Sequence, residues 1–221
     1  KPKSYDRLEC SITYQVLPHF KGKQFFEVGH NDIQAFINKL DEDGCSYSVI
    51  RKAYLALNAC YKYAIMKGDT LKNPCMGVKL PKKASKDIKT IQTLSKEEIP
   101  LYCQYATEKY GNGKSIYRLG YALVLILFTG LRLGEAMGLM WEDIDFQNNT
   151  LTVRRTLEQV KNRDKGEDGN SYILVEGTTK TQAGERIIPL NQTAINALRE
   201  LQEINGGFTY VLSNAKGKPI N

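Results

Sequence analysis

The sequence contains few of the residues that build metal sites and disulfide frameworks. Its 221 residues include two histidines, both within the first thirty positions, and five cysteines that are widely spaced and form no C-x-x-C pair. An odd number of scattered cysteines favours thiols used as small core residues in a reducing compartment over disulfides or a zinc site. We therefore expect a cytoplasmic protein without a histidine-based metal site.

Long hydrophobic runs are also missing. A membrane-spanning helix needs about 20 consecutive apolar residues, and the longest candidate is interrupted at Gly120 and ends at Thr129–Gly130. The first ten residues, KPKSYDRLEC, contain no apolar segment of the kind found in signal peptides. We expect no association with a membrane.

Positive charge is concentrated in the first part of the chain. The net charge is +7: residues 1–90 contain 16 Lys and Arg against 9 Asp and Glu, whereas residues 91–221 contain 15 of each. A local basic surplus is typical of a region that binds a polyanion such as nucleic acid. A lysine-rich surface that only keeps the protein soluble would give the same count.

Residues 1–78 show helical periodicity in three stretches and predict a small helical bundle. A proline ends the first stretch, polar residues cap the second and third, and glycines end them. The predicted limits are Ser4 to Leu17 for the first helix, with Pro18 as its stop, Asn31 to Gly44 for the second, and Ser46 or Ser48 to Gly68 for the third. The predicted inward positions of the third helix are Ile50, Ala53, Leu57, Tyr61 and Ile65.

A basic linker is predicted between two domains. The segment KLPKKASKDIKTIQ, residues 79–92, contains five lysines and little apolar content, a composition typical of loops and linkers. We predict a helical domain over residues 1–78, a linker over 79–93 and a second domain over 94–221.

The second domain combines helices with β-strands. It opens at Ser95 and Glu98, whose spacing matches a capping box, and its periodicity changes from helical to alternating after Trp141. We predict helices near 96–109, 116–128 and 131–140, strands over 150–156, 171–180 and 185–190, a polar loop over 158–170, a helix near 191–204 and a strand and turn in TYVLSNAKGKP. The predicted fold is therefore mainly α with a small antiparallel β-sheet.

An arginine follows the most hydrophobic segment of the chain. In LILFTGLRLGEAMGLMWEDID, residues 125–145, Arg132 and Glu135 are three residues apart, so on a helix they share a face and form an ion pair. A carboxylate that fixes an arginine beside an apolar wall makes a preorganised cation, whose geometry matches the oxygens of a phosphodiester. An ordinary amphipathic helix with an intrahelical ion pair predicts the same pattern.

A second candidate cation lies in GTTKTQAGERIIPL, residues 177–190. Two β-segments are predicted to meet at a tight turn near Gln182–Gly184, with Lys180 just before the tip. A lysine at a hairpin tip reaches into a groove and donates a proton if its pKa is lowered. Lysines are also common at hairpin edges, where they only prevent aggregation.

Taken together, the two segments resemble the tyrosine recombinases, the phage integrase family. TGLRLGEAMGLMWEDID is similar to the first arginine box of that family, and TKTQAGERIIPL is similar to its β-hairpin lysine segment, at a matching separation of about fifty residues. Residues 1–78 resemble its helical, SAM-like core-binding domain, including the SYSVI start of the third helix and the NP turn at 73–74. The resemblance covers nearly the whole chain and is strongest to integrases of conjugative transposons and temperate phages.

The resemblance implies integration and excision of a mobile DNA element without a metal or cofactor. A tyrosine attacks the DNA phosphate, forms a 3′-phosphotyrosyl link and releases a 5′-hydroxyl, and the 5′-hydroxyl of a second strand reverses the step. Carried over by position, Arg132 contacts the scissile phosphate, Lys180 is the general acid for the leaving oxygen, and Glu135 supports Arg132.

The family's remaining catalytic residues are not found in this sequence. A His-x-x-Arg box, a further His or Trp and the nucleophilic tyrosine follow the lysine segment in the family, but no histidine occurs after His30 and none of the 13 tyrosines has a matching context. We therefore expect the N-terminal part of a catalytic domain, truncated before these residues, that binds DNA and cleaves nothing by itself. Two alternatives remain: a non-catalytic truncated integrase that competes for DNA sites, and a type IB topoisomerase, which shares the chemistry.

Duplex DNA is the expected partner. The predicted contacts are Lys82, Lys83 and Lys86 of the linker with phosphates, and Arg51, Lys52 and Asn58 of the third helix with bases. The resemblance also implies homo-oligomers on DNA, from dimer to tetramer, and accessory proteins such as an excisionase or a DNA-bending protein.

Overall fold

The structure is a computed structural model that describes residues 2–82, 93–163, 171–178 and 185–220. It divides the chain into two compact units, Lys1–Ile91 and Gln92–Asn221. Helices account for most of the regular structure and the strands form small antiparallel sheets, which confirms the predicted fold class. No helix in the described ranges is both long and apolar enough to span a membrane.

The first helix continues past the point at which the sequence predicts its end. Helix α1 (Pro2–Ser11) runs through a π-helical turn, Ile12–Val16, into the short helix α2 (Leu17–His19). Pro18 thus lies inside the helical run, and the prediction that it ends the helix is wrong. A proline ring crowds the carbonyl one turn back and cannot donate to it, and the wider π-helical turn before Pro18 gives the ring room.

The next two helices follow the predicted pattern with one correction. Helix α3 (His30–Glu42) begins before Asn31, so the assignment of Asn31 as its cap is wrong. The Asp32 carboxylate provides the cap instead, because it accepts a hydrogen bond of 2.9 Å from the Gly29 amide. Helix α4 (Tyr47–Lys67) begins after Ser46 and ends at Gly68, whose φ of +82° is the left-handed conformation that glycine allows.

The core of the first unit lies between α3, α4 and the chain around them. Ile65 is 39% exposed, so its predicted inward position is wrong, and Ala64 is buried in its place because the apolar face of α4 continues three residues after Tyr61 rather than four. Cys75 is fully buried, as expected for a thiol used in packing, whereas Cys10 is exposed. The fully buried apolar residues of this core are Ile33, Phe36, Ile37, Ile50, Ala53 and Cys75.

The second unit contains four α-helices and the 3-10 helix Trp141–Asp143 in its described ranges. The α-helices are α5 (Glu98–Ala106), α6 (Gly120–Thr129), α7 (Leu133–Met137) and α8 (Gln192–Asn205). The capping box before α5 is confirmed, because the Ser95 amide donates to the Glu98 carboxylate (2.8 Å) and the Glu98 amide donates to the Ser95 hydroxyl (3.2 Å). Helices α6 and α8 pack against each other, and the fully buried leucines of this core are Leu125, Leu151, Leu198, Leu201 and Leu212.

Five strands form two antiparallel sheets in the described part of the chain. They are β1 (Ile144–Asp145), β2 (Thr150–Val153), β3 (Arg155–Lys161), β4 (Tyr172–Thr178) and β5 (Arg186–Pro189). One sheet has the order β1-β2-β5 and the other pairs β3 with β4. The polar segment predicted as a loop from residue 158 is strand as far as Lys161, and TYVLSNAKGKP forms isolated bridges rather than a strand.

Candidate active site

The chain turns sharply between α6 and α7 to present Arg132. Helix α6 ends at Thr129, whose hydroxyl donates to the Leu125 carbonyl (2.6 Å), and Gly130 follows with φ +64°. Leu131 is buried, and Arg132 is the residue that precedes α7, with extended backbone (φ −69°, ψ 151°). The prediction that Arg132 and Glu135 share a helix face is therefore wrong in its geometry, because Arg132 lies before the helix.

The Glu135 side chain binds Arg132 twice. It is 1% exposed, and its carboxylate accepts hydrogen bonds from the Arg132 amide (2.9 Å) and from Nη1 of the Arg132 guanidinium (2.9 Å). The first of these bonds caps the N-terminus of α7 and the second is the predicted ion pair. The Arg132 side chain is 79% exposed, so most of its guanidinium faces solvent and is open to an anion.

Arg186 is a further member of this site that the sequence analysis missed. Its Nη2 and Nη1 atoms donate to the two Glu135 oxygens at 2.8 Å and 3.1 Å. The sequence held one indication that Arg186 faces inward. Alternate residues of a strand share a face, so Arg186 lies on the same face of β5 as Ile188, which packs against the core. Hydrogen bonds from Arg186, followed by those from Arg132, lower the pKa of Glu135 to about 2 despite its burial. Glu135 is therefore ionised at neutral pH.

Close packing fixes the position of Glu135. A Cβ atom added at Gly134 would lie 3.0 Å from the Leu157 carbonyl oxygen, so α7 approaches the β3 backbone as closely as a glycine permits. The resulting cluster contains one buried carboxylate and two guanidinium groups and carries a net charge of +1. A cluster of this charge with an exposed guanidinium suits an anionic oxygen.

A second buried carboxylate lies beside this cluster. Asp143 is 1% exposed on its side chain and accepts hydrogen bonds from Arg154 (2.8 Å), Arg155 (2.8 Å) and the Met140 amide (3.0 Å). Asp143, Arg154, Arg155 and Glu135 line one small cleft. These contacts tie the start of β3 to the turn before β1 and support the region on which α7 rests.

Lys180 and its predicted turn, residues 179–184, lie outside the described residues. Where the flanking strands are described, over 172–178 and 186–189, they do not pair with each other as the predicted hairpin requires: β4 pairs with β3, and β5 pairs with β2. Thr178 is opposite Arg155 and Arg186 is opposite Val153. The described residues Thr178 and Arg186 therefore lie opposite the two chain neighbours of Arg154.

The residues predicted to contact DNA differ in how exposed they are. Arg51 and Lys52 are exposed on α4, and Lys82 is exposed, whereas Lys83 and Lys86 lie outside the described residues. Asn58 is partly buried and its carbonyl oxygen accepts a hydrogen bond from the Asn73 amide group (2.7 Å). A base contact through the Asn58 carbonyl oxygen would therefore share that oxygen with the turn. Within the described ranges, no group of three or more metal-ligating side chains lies together.

The fold is similar to that of solved integrases. The Tn1549 transposon integrase in complex with transposon right end DNA matches 100% of this chain with a TM-score of 0.76, at 23% identity and over 68% of that chain. A lambda integrase dimer bound to a core site matches 100% of this chain with a TM-score of 0.64, at 16% identity and over 69% of that chain. These likenesses define the fold as that of tyrosine recombinases.

The sequence comparisons give the family. The sequence model of the phage integrase family matches residues 92–221, and this chain belongs to that family. It is 34% identical over 195 residues to a XerC-like tyrosine recombinase of Caldanaerobacter subterraneus subsp. tengcongensis, covering 84% of this chain and 47% of the relative. It is 27% identical over 200 residues to the transposase of transposon Tn916 from Enterococcus faecalis, covering 86% of this chain and 45% of the relative. The chain thus spans about half the length of these curated relatives.

Proposed function

We propose that this chain carries the DNA-binding region and two catalytic cations of a site-specific recombinase that integrates and excises a mobile DNA element. The observation that carries the proposal is the exposed Arg132 guanidinium, fixed by a buried and ionised Glu135 in a chain of the phage integrase family. Such a group is ready to bind the non-bridging oxygens of a phosphodiester at the moment when their charge increases.

The proposed reaction conserves the phosphodiester energy. The phenolate oxygen of a tyrosine forms a bond to phosphorus, the bond from phosphorus to the 5′-oxygen breaks, and Lys180 gives a proton to that oxygen. Arg132 stabilises the charge on the non-bridging oxygens. Glu135, with its pKa near 2, supports Arg132 and does not transfer protons at neutral pH. The 5′-hydroxyl of a second strand then gives its proton back to the Lys180 amine and attacks the phosphotyrosine, and the tyrosine leaves as a phenolate.

The nucleophile and the His-x-x-Arg box are assigned to sequence outside these 221 residues. No histidine occurs after His30, and the chain spans about half the length of its curated relatives. In this proposal residues 1–78 form the core-binding domain, 79–93 the linker, and 94–221 a partial catalytic domain with half of the active site.

Duplex DNA is the proposed substrate, in the cytoplasm of a bacterial host. Support comes from the basic surplus of residues 1–90 and from the solved integrases of the same fold, which were determined as a complex with transposon DNA, a dimer on a core site and a tetramer on a Holliday junction. By this likeness we propose homo-oligomers on DNA, from dimer to tetramer. The family to which the chain belongs adds an excisionase or a DNA-bending protein to the proposed partners.

One experiment separates this proposal from a non-catalytic competitor for DNA sites. Nicked duplexes carrying the ends of the encoding DNA element are incubated with the 221-residue chain and with the protein expressed from the complete reading frame, and covalent adducts are resolved in denaturing gels. We expect both to bind DNA and only the complete protein to form an adduct. An adduct with the 221-residue chain would mean that the nucleophile is misassigned, and no adduct with either would favour the competitor.

A further inference from the structure

Glu135 is one carboxylate shared by two arginines that differ in exposure. The Arg132 side chain is 79% exposed and the Arg186 side chain 33%. Arg132 gives one guanidinium hydrogen bond to Glu135, whereas Arg186 gives two, one to each oxygen. Most donors of Arg132 therefore remain available to another partner, whereas one planar edge of the Arg186 guanidinium is occupied by the carboxylate.

The charge of this cluster depends on Arg186. Arg132 and Glu135 alone would make a neutral pair, and a phosphate that bound Arg132 would also approach a carboxylate 2.9 Å from the same guanidinium. Repulsion at such distances is strong where water is partly excluded. With Arg186 on the carboxylate, the cluster has a net charge of +1 and an anion meets a carboxylate that is already compensated.

The two arginines that bind Glu135 are held by different parts of the backbone. Arg186 begins β5 and is opposite Val153 of β2 in the sheet, so its Cα position follows from the strand register. The Arg132 amide donates to the same carboxylate. Glu135 thus connects a strand of the sheet to the residue that precedes α7, and a change at Arg186 is transmitted to Arg132 through one side chain.

We propose that Arg186 is a positioning residue, which compensates and orients the Glu135 carboxylate so that Arg132 binds the scissile phosphate as an uncompensated cation. This inference rests on the proposed recombinase function. It assigns Arg186 no contact with DNA, and it predicts that the need for Arg186 depends on the negative charge at position 135.

The test measures single-turnover adduct formation by the complete-frame protein on a nicked duplex, with DNA affinity measured separately. Arg186→Met should slow adduct formation on the order of 10²-fold, because a misplaced catalytic group costs about that much, with little change in DNA affinity. Arg199→Met, which removes an exposed arginine of α8, is the matched control and should leave the rate unchanged.

The double variant Glu135→Gln, Arg186→Met carries the decisive readout. The single glutamine oxygen still accepts one of the two hydrogen bonds from Arg132, and the side chain brings no negative charge. The double variant should therefore form adduct about tenfold faster than Arg186→Met, a coupling typical of side chains in contact. A merely structural role for Arg186 predicts no such recovery. A double variant no faster than Arg186→Met, or a normal rate in Arg186→Met, would overturn the inference.

Two further variants keep the outcomes distinct. Arg186→Lys retains the charge and loses the paired hydrogen bonds, so it should be slowed less than Arg186→Met, and it replaces that variant if Arg186→Met does not fold. Equal rate defects in Arg186→Lys and Arg186→Met would count against charge compensation. Arg132→Ala is run alongside: a defect there with a normal Arg186→Met rejects the inference alone, whereas full activity of Arg132→Ala rejects the proposed function itself.

Discussion

Arg186 and Glu135, separated by 51 positions in the chain, form a two-point ion pair in which each guanidinium nitrogen faces its own carboxylate oxygen, at 3.1 Å and 2.8 Å. Glu135 is almost completely buried, so water competes little for these bonds. The pair closes the site between α7 and β5, and it is the main reason that the pKa of Glu135 falls to about 2.

Stability of the second unit should fall in acid through Glu135. A carboxyl whose pKa is about 2 when folded and 4.5 when exposed contributes about 3 kcal/mol at neutral pH, which is fully present above pH 4.5 and decreases as the pH falls towards 2. Trp141, the single tryptophan, lies in this unit, so urea unfolding followed by its fluorescence from pH 6 to pH 2.5 measures the effect.

The matched variant for this prediction is Glu135→Gln. It removes the titrating group at the same position, so the difference in unfolding free energy between the wild type and Glu135→Gln should shrink by about 2 kcal/mol between neutral pH and pH 3. A difference that stays constant over this range would mean that Glu135 is not ionised by its arginines.

A side chain at Gly120 should destabilise the packing of α5 against α6. A Cβ atom there would lie 1.6 Å from the Ala106 carbonyl oxygen, so Gly120→Ala must separate the two helices. We expect a decrease of about 1–3 kcal/mol in stability, as for other overpacked sites. Gly111→Ala, where a Cβ meets no atom within 4 Å, is the control and should change stability by less than about 0.5 kcal/mol. Urea unfolding followed by Trp141 fluorescence compares them, and equal stabilities would contradict the predicted clash.

Local patterns in the sequence predict the parts of the fold that depend on neighbouring residues. The capping box at Ser95, the ends of helices at Gly44 and Gly68, and the strands after Trp141 follow from residues close in the chain. The prediction for Pro18 fails because a π-helical turn, which no simple periodicity encodes, accommodates the ring.

The candidate site shows where sequence reasoning stops. The predicted pairing of Arg132 with Glu135 is correct, but their spacing of three fits a helix face and a capping geometry equally, and only the backbone of Arg132 distinguishes them. The contact of Arg186 with Glu135 depends on which strand pairs with β2. That choice is made by long-range packing, so the alternation in β5 could place Arg186 on the face of Ile188 but could not identify Glu135 as its partner.

DNA binding should depend on the lysines of the linker. Replacing Lys82, Lys83 and Lys86 by glutamine should reduce the slope of log K against log salt concentration, by up to roughly one unit for each phosphate that the variant no longer neutralises. Binding of the 221-residue chain to a duplex is measured between about 50 and 200 mM salt. The same replacement at Lys96, Lys114 and Lys216, which are exposed in the second unit, controls for total charge. Equal slopes in the two triple variants would remove the linker from the interface.

Arg132 should be needed for cleavage more than for binding. In the complete-frame protein, Arg132→Lys keeps a positive charge but loses the paired donors that fit a phosphate. Removal of one preorganised donor to a transition-state oxyanion typically costs ~10²–10³ in rate, so adduct formation should fall by that factor while DNA affinity stays nearly unchanged. Arg199→Lys on α8 is the control. A near-normal rate in Arg132→Lys would leave Arg132 as an ordinary capping ion pair.

The roles of the two cations can be separated by the chemistry of the leaving group. If Lys180 is the general acid, it protonates the departing 5′-oxygen, an alkoxide too basic to leave readily by itself. A 5′-bridging phosphorothiolate provides a thiolate instead, which is stable near neutral pH and needs no proton. Lys180→Ala in the complete-frame protein should therefore be severely slowed on ordinary DNA and largely restored on the phosphorothiolate duplex.

Arg132→Ala provides the contrast on the same two substrates. Its proposed work is on the non-bridging oxygens, which the sulfur substitution leaves unchanged, so its defect should persist on both duplexes. Single-turnover rates of adduct formation for the two variants on the two duplexes form a complete comparison. If Lys180→Ala is equally defective on both, Lys180 positions the phosphate and the proton comes from another group. If Arg132→Ala is the variant that recovers, the two assignments must be exchanged, because only the proton donor becomes dispensable when the leaving group is a thiolate.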